Sequence, residues 1–245
     1  MHKPKMNIMP YKLESFGISD IGLRKNNEDV WASLPDKQFY VLADGMGGHK
    51  AGEVASSLAI QCMCKSMASL EDRPSIEEAC KRLRDAFAKT NTKVYNESHQ
   101  NREYAGMGTT LSCFVITDDY LIYAHIGDSR LYRYRGKLER LTEDHSLRNA
   151  MCKDEEVPPQ LMRNIITRAI GTHSNILPDV GVIPLRPRDI YMLCSDGLSD
   201  YVEESKMALI LSSSLPLEEI GKKLVETALR KGGNDNITLL LLKVT

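Results

Sequence analysis

The chain carries no excess of either charge. Its 32 Lys and Arg offset 33 Asp and Glu, for a formal net charge of -1, so it lacks the electrostatic footprint of a nucleic-acid or anionic-membrane binder. Long apolar runs are also missing. The longest lies near Leu239 to Leu242, far short of the roughly 20 residues a membrane-spanning helix needs. The opening "MHKPKMNIMPYK" has no apolar core of the kind a secretion signal requires, and the cytoplasm is the expected location. Six cysteines, at 62, 64, 80, 113, 152 and 194, show neither paired C-x-x-C spacing nor the density of a disulfide scaffold. They read as reduced packing residues, and none is followed six positions later by arginine, which excludes a C-x5-R nucleophile loop. The six histidines are scattered, without the H-E-x-x-H of a zinc hydrolase. In "YVLADGMGGHKAGEVAS", Gly45, Gly47 and Gly48 are followed by His49 and Lys50 rather than by a third glycine or a Gly-Lys-Ser/Thr. Neither a P-loop nor a dinucleotide fingerprint is present.

What remains is an ordinary globular composition, 42% apolar and 27% charged over 245 residues. With no repeat and no Pro/Gly/Ser linker, a single domain over 1–245 is predicted. Three segments have helical periodicity. Glu53 to Ala68 places Val54, Leu58 and Cys62 on one face. Ser75 to about Asn96 opens with a Ser75/Glu78 capping box and keeps Ile76, Ala79, Leu83, Phe87, Thr90 and Val94 in register. Leu217 to Arg230 carries Ile220, Leu224, Ala228 and Leu229, and Gly232-Gly233 supplies its stop. Short β-branched and aromatic runs predict strands at Phe39 to Ala43, Thr109 to Ile116, Leu121 to Ile126, Leu131 to Tyr134, Ile190 to Cys194 and Ile237 to Val244. Tight turns such as "TDD" at 117–119 and "YRGK" at 134–137 imply antiparallel pairing. Ser146 to Asn164 fits neither pattern; it is polar, contains Pro158-Pro159, and reads as a functional or disordered loop.

Asp44, Asp128, Asp196 and Asp235 each stand at the end of one of these runs. Any single Asp-Gly or Gly-Asp pair is better read as a turn. Four of them, together with "RKNNED" at 24–29, favour another reading. If the strand ends share one edge, the carboxylates converge with few basic residues nearby, an arrangement intolerable without cations. Hard divalent ions such as Mg²⁺ or Mn²⁺ take such oxygen ligands. Glu28 and Asp29 offer more oxygens, and Arg24 a planar fork suited to phosphate, although taken alone it reads as a solvated surface charge.

The ordered set "GLRKNNED" (22–29), "LADGMGGHKAGEVAS" (42–56), "GTT" (108–110), "HIGDSRLYR" (125–133), "LTEDHS" (141–146), "ITRAIG" (166–171), "LCSDGLSD" (193–200) and "GGNDNIT" (232–238) resembles the metal-dependent protein phosphatase family, type 2C, in its compact bacterial form. The resemblance covers about residues 15–245. It implies an α+β fold, an αββα sandwich of two stacked antiparallel β-sheets flanked by helices, with a two-metal centre in the cleft at the sheets' edges. It further implies a protein serine/threonine phosphatase in which a water bridging two Mn²⁺ or Mg²⁺ ions attacks phosphoserine or phosphothreonine. Carried over by motif, Asp44 bridges the two ions, the Gly45 carbonyl binds one, and Asp196 and Asp235 ligate the other. Glu28 and Asp29 match the acidic pair that holds metal or its water, and Arg24 the arginine that binds substrate phosphate. Asp128, with Asp196, matches a weaker third metal site, and 146–164 the mobile flap. Animal members have histidine directly after the Asp-Gly pair. This chain has Met46 there and His49 three residues on, so His49 is a candidate general acid beside a helix-start or packing role, with metal-bound water as the other donor. The implied partners are phosphorylated proteins, among them a Ser/Thr protein kinase and its substrates, with neither nucleic acid nor membrane. The alternative is a non-catalytic phosphoprotein-binding module of the same fold. Such a copy is expected to have lost a ligand, whereas Asp44, Asp128, Asp196 and Asp235 are all present. A calcium-stabilised structural domain leaves Arg24 without a reason.

Overall fold

The computed structural model describes residues 11–47, 51–147 and 165–245. The chain begins with strands β1 (Leu13–Asp20), β2 (Asp29–Leu34) and β3 (Phe39–Met46), followed by helices α1 (Ala51–Met67) and α2 (Ile76–Gln100). A run of strands comes next: β4 (Gly108–Thr109), β5 (Leu111–Thr117), β6 (Tyr120–Ile126), β7 (Arg130–Tyr134), β8 (Leu138–Arg140), β9 (Asp179–Pro184) and β10 (Ile190–Cys194). Helices α3 (Asp196–Ser199), α4 (Glu204–Leu211) and α5 (Leu217–Arg230) then lead into β11 (Ile237–Val244). One sheet has the order β1-β11-β10-β7-β8 and the other β2-β3-β5-β6-β9, with β4 paired to β3. All the strand pairings are antiparallel.

The layering follows from the period-two alternation of side chains along each strand. In β3, Phe39, Val41 and Ala43 pack with Ala55, Ala59, Met63, Leu83 and Phe87 of α1 and α2. Tyr40 and Leu42 point the other way, into a core shared with Tyr191 and Leu193 of β10 and Leu240 and Leu242 of β11. The opposite face of that second sheet, with Met192, Cys194, Leu239 and Leu241, is covered by Met207 of α4 and Ile220 and Leu224 of α5. Strands buried on both faces need near-continuous apolar runs, and β5 (LSCFVIT) and β11 (ITLLLLKV) have them. The result is the predicted αββα sandwich.

Several local readings need correction. The capping box at Ser75 is present, with the Glu78 N–H donating to Ser75 Oγ at 3.2 Å and the Ser75 N–H to Glu78 Oε2 at 2.8 Å, but Ile76 is exposed. In α1 the buried stripe is Ala55, Ala59, Met63 and Met67, rotated from the expected Val54, Leu58 and Cys62, which are only half-buried. Small residues face the sheet there because β3 lies close beneath the helix. Leu229 of α5 is likewise exposed. The unpredicted strands β1, β2 and β9 all lie at sheet edges. Edge strands bury little: "LESFGISD" is half polar with a glycine inside, and "DVGVIP" is a short run broken by a glycine and a terminal proline.

Candidate metal centre

Alternation also places the polar residues. In β3, Asp44 shares the inter-sheet face of Tyr40 and Leu42. Asp29 lies directly opposite it across the β2/β3 pair, so both carboxylates stand on one face. Thr110 just before β5, Ser112 within it, Ser195 after β10 and Thr238 in β11 have the same parity as the inter-sheet apolar residues of their strands, Phe114 and Ile116, Tyr191 and Leu193, and Leu240 and Leu242. The space between the sheets is therefore apolar along most of its length and polar at one end. Asp128 and Asp196 follow β6 and β10 at that end, and Asp235 immediately precedes Asn236 and β11. Two expectations change here. Asp44 is inside β3, which runs on to Met46, and Asp196 opens the short helix α3 rather than a turn.

Hydrogen bonds hold this backbone in place. The Asp44 N–H donates to Thr110 Oγ1 (2.9 Å), and the Asp44 carbonyl accepts from the Thr110 N–H and from Thr109 Oγ1, each at 2.8 Å. Ser195 Oγ donates to Asp29 Oδ2 at 2.7 Å and accepts the Thr238 N–H at 3.0 Å. The Gly45 N–H donates to the Glu28 carbonyl at 3.1 Å. Two glycines permit the close approach of three segments here. A Cβ at Gly45 would lie 2.1 Å from the Gly52 carbonyl oxygen, and one at Gly52 2.6 Å from Glu28 Oε2. A side chain at Gly45 would force β3 and the start of α1 apart, and one at Gly52 would displace the Glu28 carboxylate.

The electrostatics are one-sided. Burial pushes the Asp44 carboxyl well above the usual carboxylate range, and Asp29, Asp196, Asp128 and Asp235 add to the rise. Asp196 is raised in the same way, by burial and then by Asp128, Asp235, Asp200 and Asp29. Both are ringed by protein yet keep partial access to solvent at the crevice. Burial lifts Asp29 to about 7 against the opposing bonds from Ser195 and Thr238. Asp128 rises to about 6, again chiefly through burial, with Asp144 adding to it. Burial also raises Glu28, with Arg24 opposing. Among the described residues, no three His, Cys, Asp or Glu side chains close into a ready-made cage. The donor set nevertheless fits a hard divalent cation. It is all oxygen, and Asp128 Oδ1 is buried with no hydrogen-bond partner among the described residues.

Arg24 sits at the rim with its side chain 54% exposed, its Nη2 donating to Asp235 Oδ2 at 2.7 Å and its Nε to the Asn234 carbonyl at 3.0 Å. Arg24, Glu28, Asp29, Asp44, Gly45, Asp128, Asp196 and Asp235 thus come to one end of the sandwich. His49 lies outside the described residues, as does 148–164 of the predicted flap. The two ends of that segment stand side by side: Ser146 bridges Ile166, and the Leu147 N–H donates to the Ile165 carbonyl at 2.8 Å. The sequence reading assigned no role to Ser195, Thr238, Thr110 or Asn236. Their parity with the inter-sheet apolar residues of β5, β10 and β11 was the signal that could have found them.

This chain belongs to the Protein phosphatase 2C family, whose model matches residues 17–240. Among relatives, it is 35% identical over 241 residues to protein phosphatase PhpP of Streptococcus pneumoniae, across 93% of this chain and 96% of that protein. Its fold matches the crystal structure of serine/threonine phosphatase Stp1 from Staphylococcus aureus with a TM-score of 0.90, at 33% identity and covering 96% of each chain. It also matches the catalytic domain of serine threonine protein phosphatase PstP, solved in complex with 2 manganese ions, with a TM-score of 0.84 and 35% identity over 95% of this chain and 98% of that one.

Proposed function

We propose that this chain is a metal-dependent protein serine/threonine phosphatase, formed as one domain over 1–245. The observation that carries the reading is the crowding of Asp29, Asp44, Asp128 and Asp196 at the polar end of the inter-sheet space, each with its proton affinity raised by burial. Asp44, the Gly45 carbonyl, Asp196 and Asp235 would hold two divalent cations, Mn²⁺ or Mg²⁺. Glu28 and Asp29 would complete the set, and Asp128 with Asp196 would form a weaker third site. Bound there, the ions would supply Lewis acidity toward the phosphoryl oxygens and an activated water. The protein contributes orientation. Ser195 fixes the Asp29 carboxylate, the Thr109-Thr110 pair fixes the backbone of Asp44, and the Arg24 guanidinium, half-exposed at the rim, binds the substrate phosphate beside the carboxylates. His49 is the candidate proton donor to the leaving oxygen. Phosphorylated proteins are the substrates, with a Ser/Thr protein kinase and its targets as partners. No helix among the described residues is long and apolar enough to cross a membrane, and the cytoplasm is the proposed location.

The test is hydrolysis of a phosphoserine peptide by the wild type and by Asp44→Asn, with Mn²⁺ and with a chelator. Release of phosphate by the wild type only when Mn²⁺ is present, with the variant inactive, supports the assignment. Peptide binding without hydrolysis under every condition would establish the non-catalytic module instead.

A further inference from the structure

The loop from Ile21 to Glu28 carries both Arg24 and Glu28, yet most of it faces solvent: Ile21, Leu23, Arg24, Lys25 and Asn26 are all exposed. An exposed loop with so little packing needs its shape set from elsewhere. One turn is held locally, by the Gly22 N–H to Asp20 Oδ1 and the Leu23 N–H to the Gly233 carbonyl, each at 2.8 Å. Beyond that turn, Arg24 bonds Asp235 and the Asn234 carbonyl, Asn27 Nδ2 donates to Ser19 Oγ at 2.8 Å, and one further side chain joins the two ends of the loop. Asn236, only 5% exposed, accepts the Glu28 N–H at Oδ1 (2.8 Å) and donates the two hydrogens of Nδ2 to the carbonyls of Ile21 and Asn26, each at 2.9 Å. Its amide thus joins the start of the loop to its end, with Arg24 between them. Its backbone serves the carboxylate side: the Asn236 N–H donates to Asp235 Oδ1 at 2.9 Å, and a Cβ at Gly197 would come within 1.9 Å of the Asn236 carbonyl oxygen.

The chemistry of the three contacts selects asparagine. Two carbonyls require two donors and one N–H requires an acceptor, from a planar group at a fixed distance from the backbone. Aspartate has no donor, serine is too short, and glutamine is longer by a methylene. Resting on the assignment of Arg24 to substrate phosphate, we infer that Asn236 is a positioning residue. It touches neither phosphate nor metal, but sets where Arg24 stands relative to the carboxylates and so how tightly phosphate is held.

Inorganic phosphate titrated calorimetrically into the Mn²⁺-loaded wild type, Asn236→Ala, Arg24→Ala and the double variant tests this. Asn236→Ala is expected to weaken phosphate binding about tenfold, the scale of a charge-assisted contact put out of line. In the Arg24→Ala background the same change is expected to cost less than about twofold, because the group it positions is gone. Amide exchange is expected to accelerate across 21–28 but not in β3 or β5, and Mn²⁺ affinity to stay within about threefold of wild type. Asn236→Asp, which keeps the acceptor for Glu28 and loses both donors, repeats the comparison should the alanine variant fail to fold. Unchanged phosphate affinity in a folded Asn236 variant, or equal losses with and without Arg24, overturns the positioning role. If Arg24→Ala itself binds phosphate like the wild type, the assignment of Arg24 is what fails, and the positioning role falls with it.

Discussion

Strand β10 lies between two aspartates, Asp189 before it and Asp196 after it, and the protein treats them in opposite ways. Asp189 is fully buried and fully answered. Arg135 donates to both of its oxygens at 2.6 Å, Tyr191 Oη donates at 2.9 Å and the Arg186 N–H at 3.1 Å. Asp196 faces Asp128, Asp235, Asp200 and Asp29, and its carboxyl is pushed well upward. A carboxylate removed from water must find charge and hydrogen bonds elsewhere. At Asp189 the chain supplies both, and the group fastens the end of the sandwich. At Asp196 the chain supplies more carboxylates, an arrangement that makes sense for a group meant to meet a cation. Residue type is alike at the two ends; the sign of the neighbours, with the access to solvent that Asp196 keeps, separates fastening from function.

The comparison can be broken most sharply at its functional end. Asp196→Asn is expected to remain folded and to lose roughly 10³-fold in metal-dependent rate on a phosphopeptide, the upper end of what one charge-stabilising group costs. A variant within a few-fold of wild type at saturating Mn²⁺ removes Asp196 from the centre. At the other end, Asp189→Ala strands the Arg135 guanidinium and is expected to cost about 3 kcal/mol in urea unfolding, the scale of a broken buried pair, with turnover per folded molecule unchanged. Equal stability losses at the two ends erase the distinction.

Metal should act on one end only. At about 100 times its dissociation constant, Mn²⁺ is expected to stabilise the wild type and Asp189→Ala alike by about 2.7 kcal/mol. Thermal melts of Asp196→Asn should show much less, and an undiminished shift there would place the ion elsewhere. The smallest effect concerns pH in chelator-treated protein. Asp29 and Asp128, raised to about 7 and about 6, keep protons in the folded state that the unfolded chain has already released. Stability from these groups is therefore present at low pH and is lost as pH rises from about 4 toward 7. Urea unfolding of the wild type at pH 5 and pH 8, against Asp128→Asn, measures it; the variant should be the less pH-sensitive of the two.

Much of the molecule was legible before any coordinates. The central strands β3, β5, β6, β10 and β11 announce themselves because burial on both faces demands unbroken apolar runs. Helix α2 does so through its capping box and its stripe from Ala79 to Val94. The edge strands β1, β2 and β9 did not, since one neighbour and a wet face leave composition free. The rotated face of α1 was hidden for a related reason: its alanines lie against the sheet while its larger Val54 and Leu58 sit at the margin, and periodicity alone gives weight to size.

By itself the sequence determined the central strands, the capped helix, and the acidic motifs and their order, because periodicity and motif spacing are local properties; the class of fold came through the family those ordered motifs resemble. It left open which polar residues accompany those motifs. Asn236 reaching back 210 residues to Asn26, and Ser195 reaching 166 residues to Asp29, are contacts that no local pattern encodes. The tertiary structure decided them by stacking two sheets so that the inter-sheet faces of β2, β3, β10 and β11 meet at one end. There the Ser195 hydroxyl and the Asn236 amide find their partners, and there a row of separate aspartates becomes one electrostatic site.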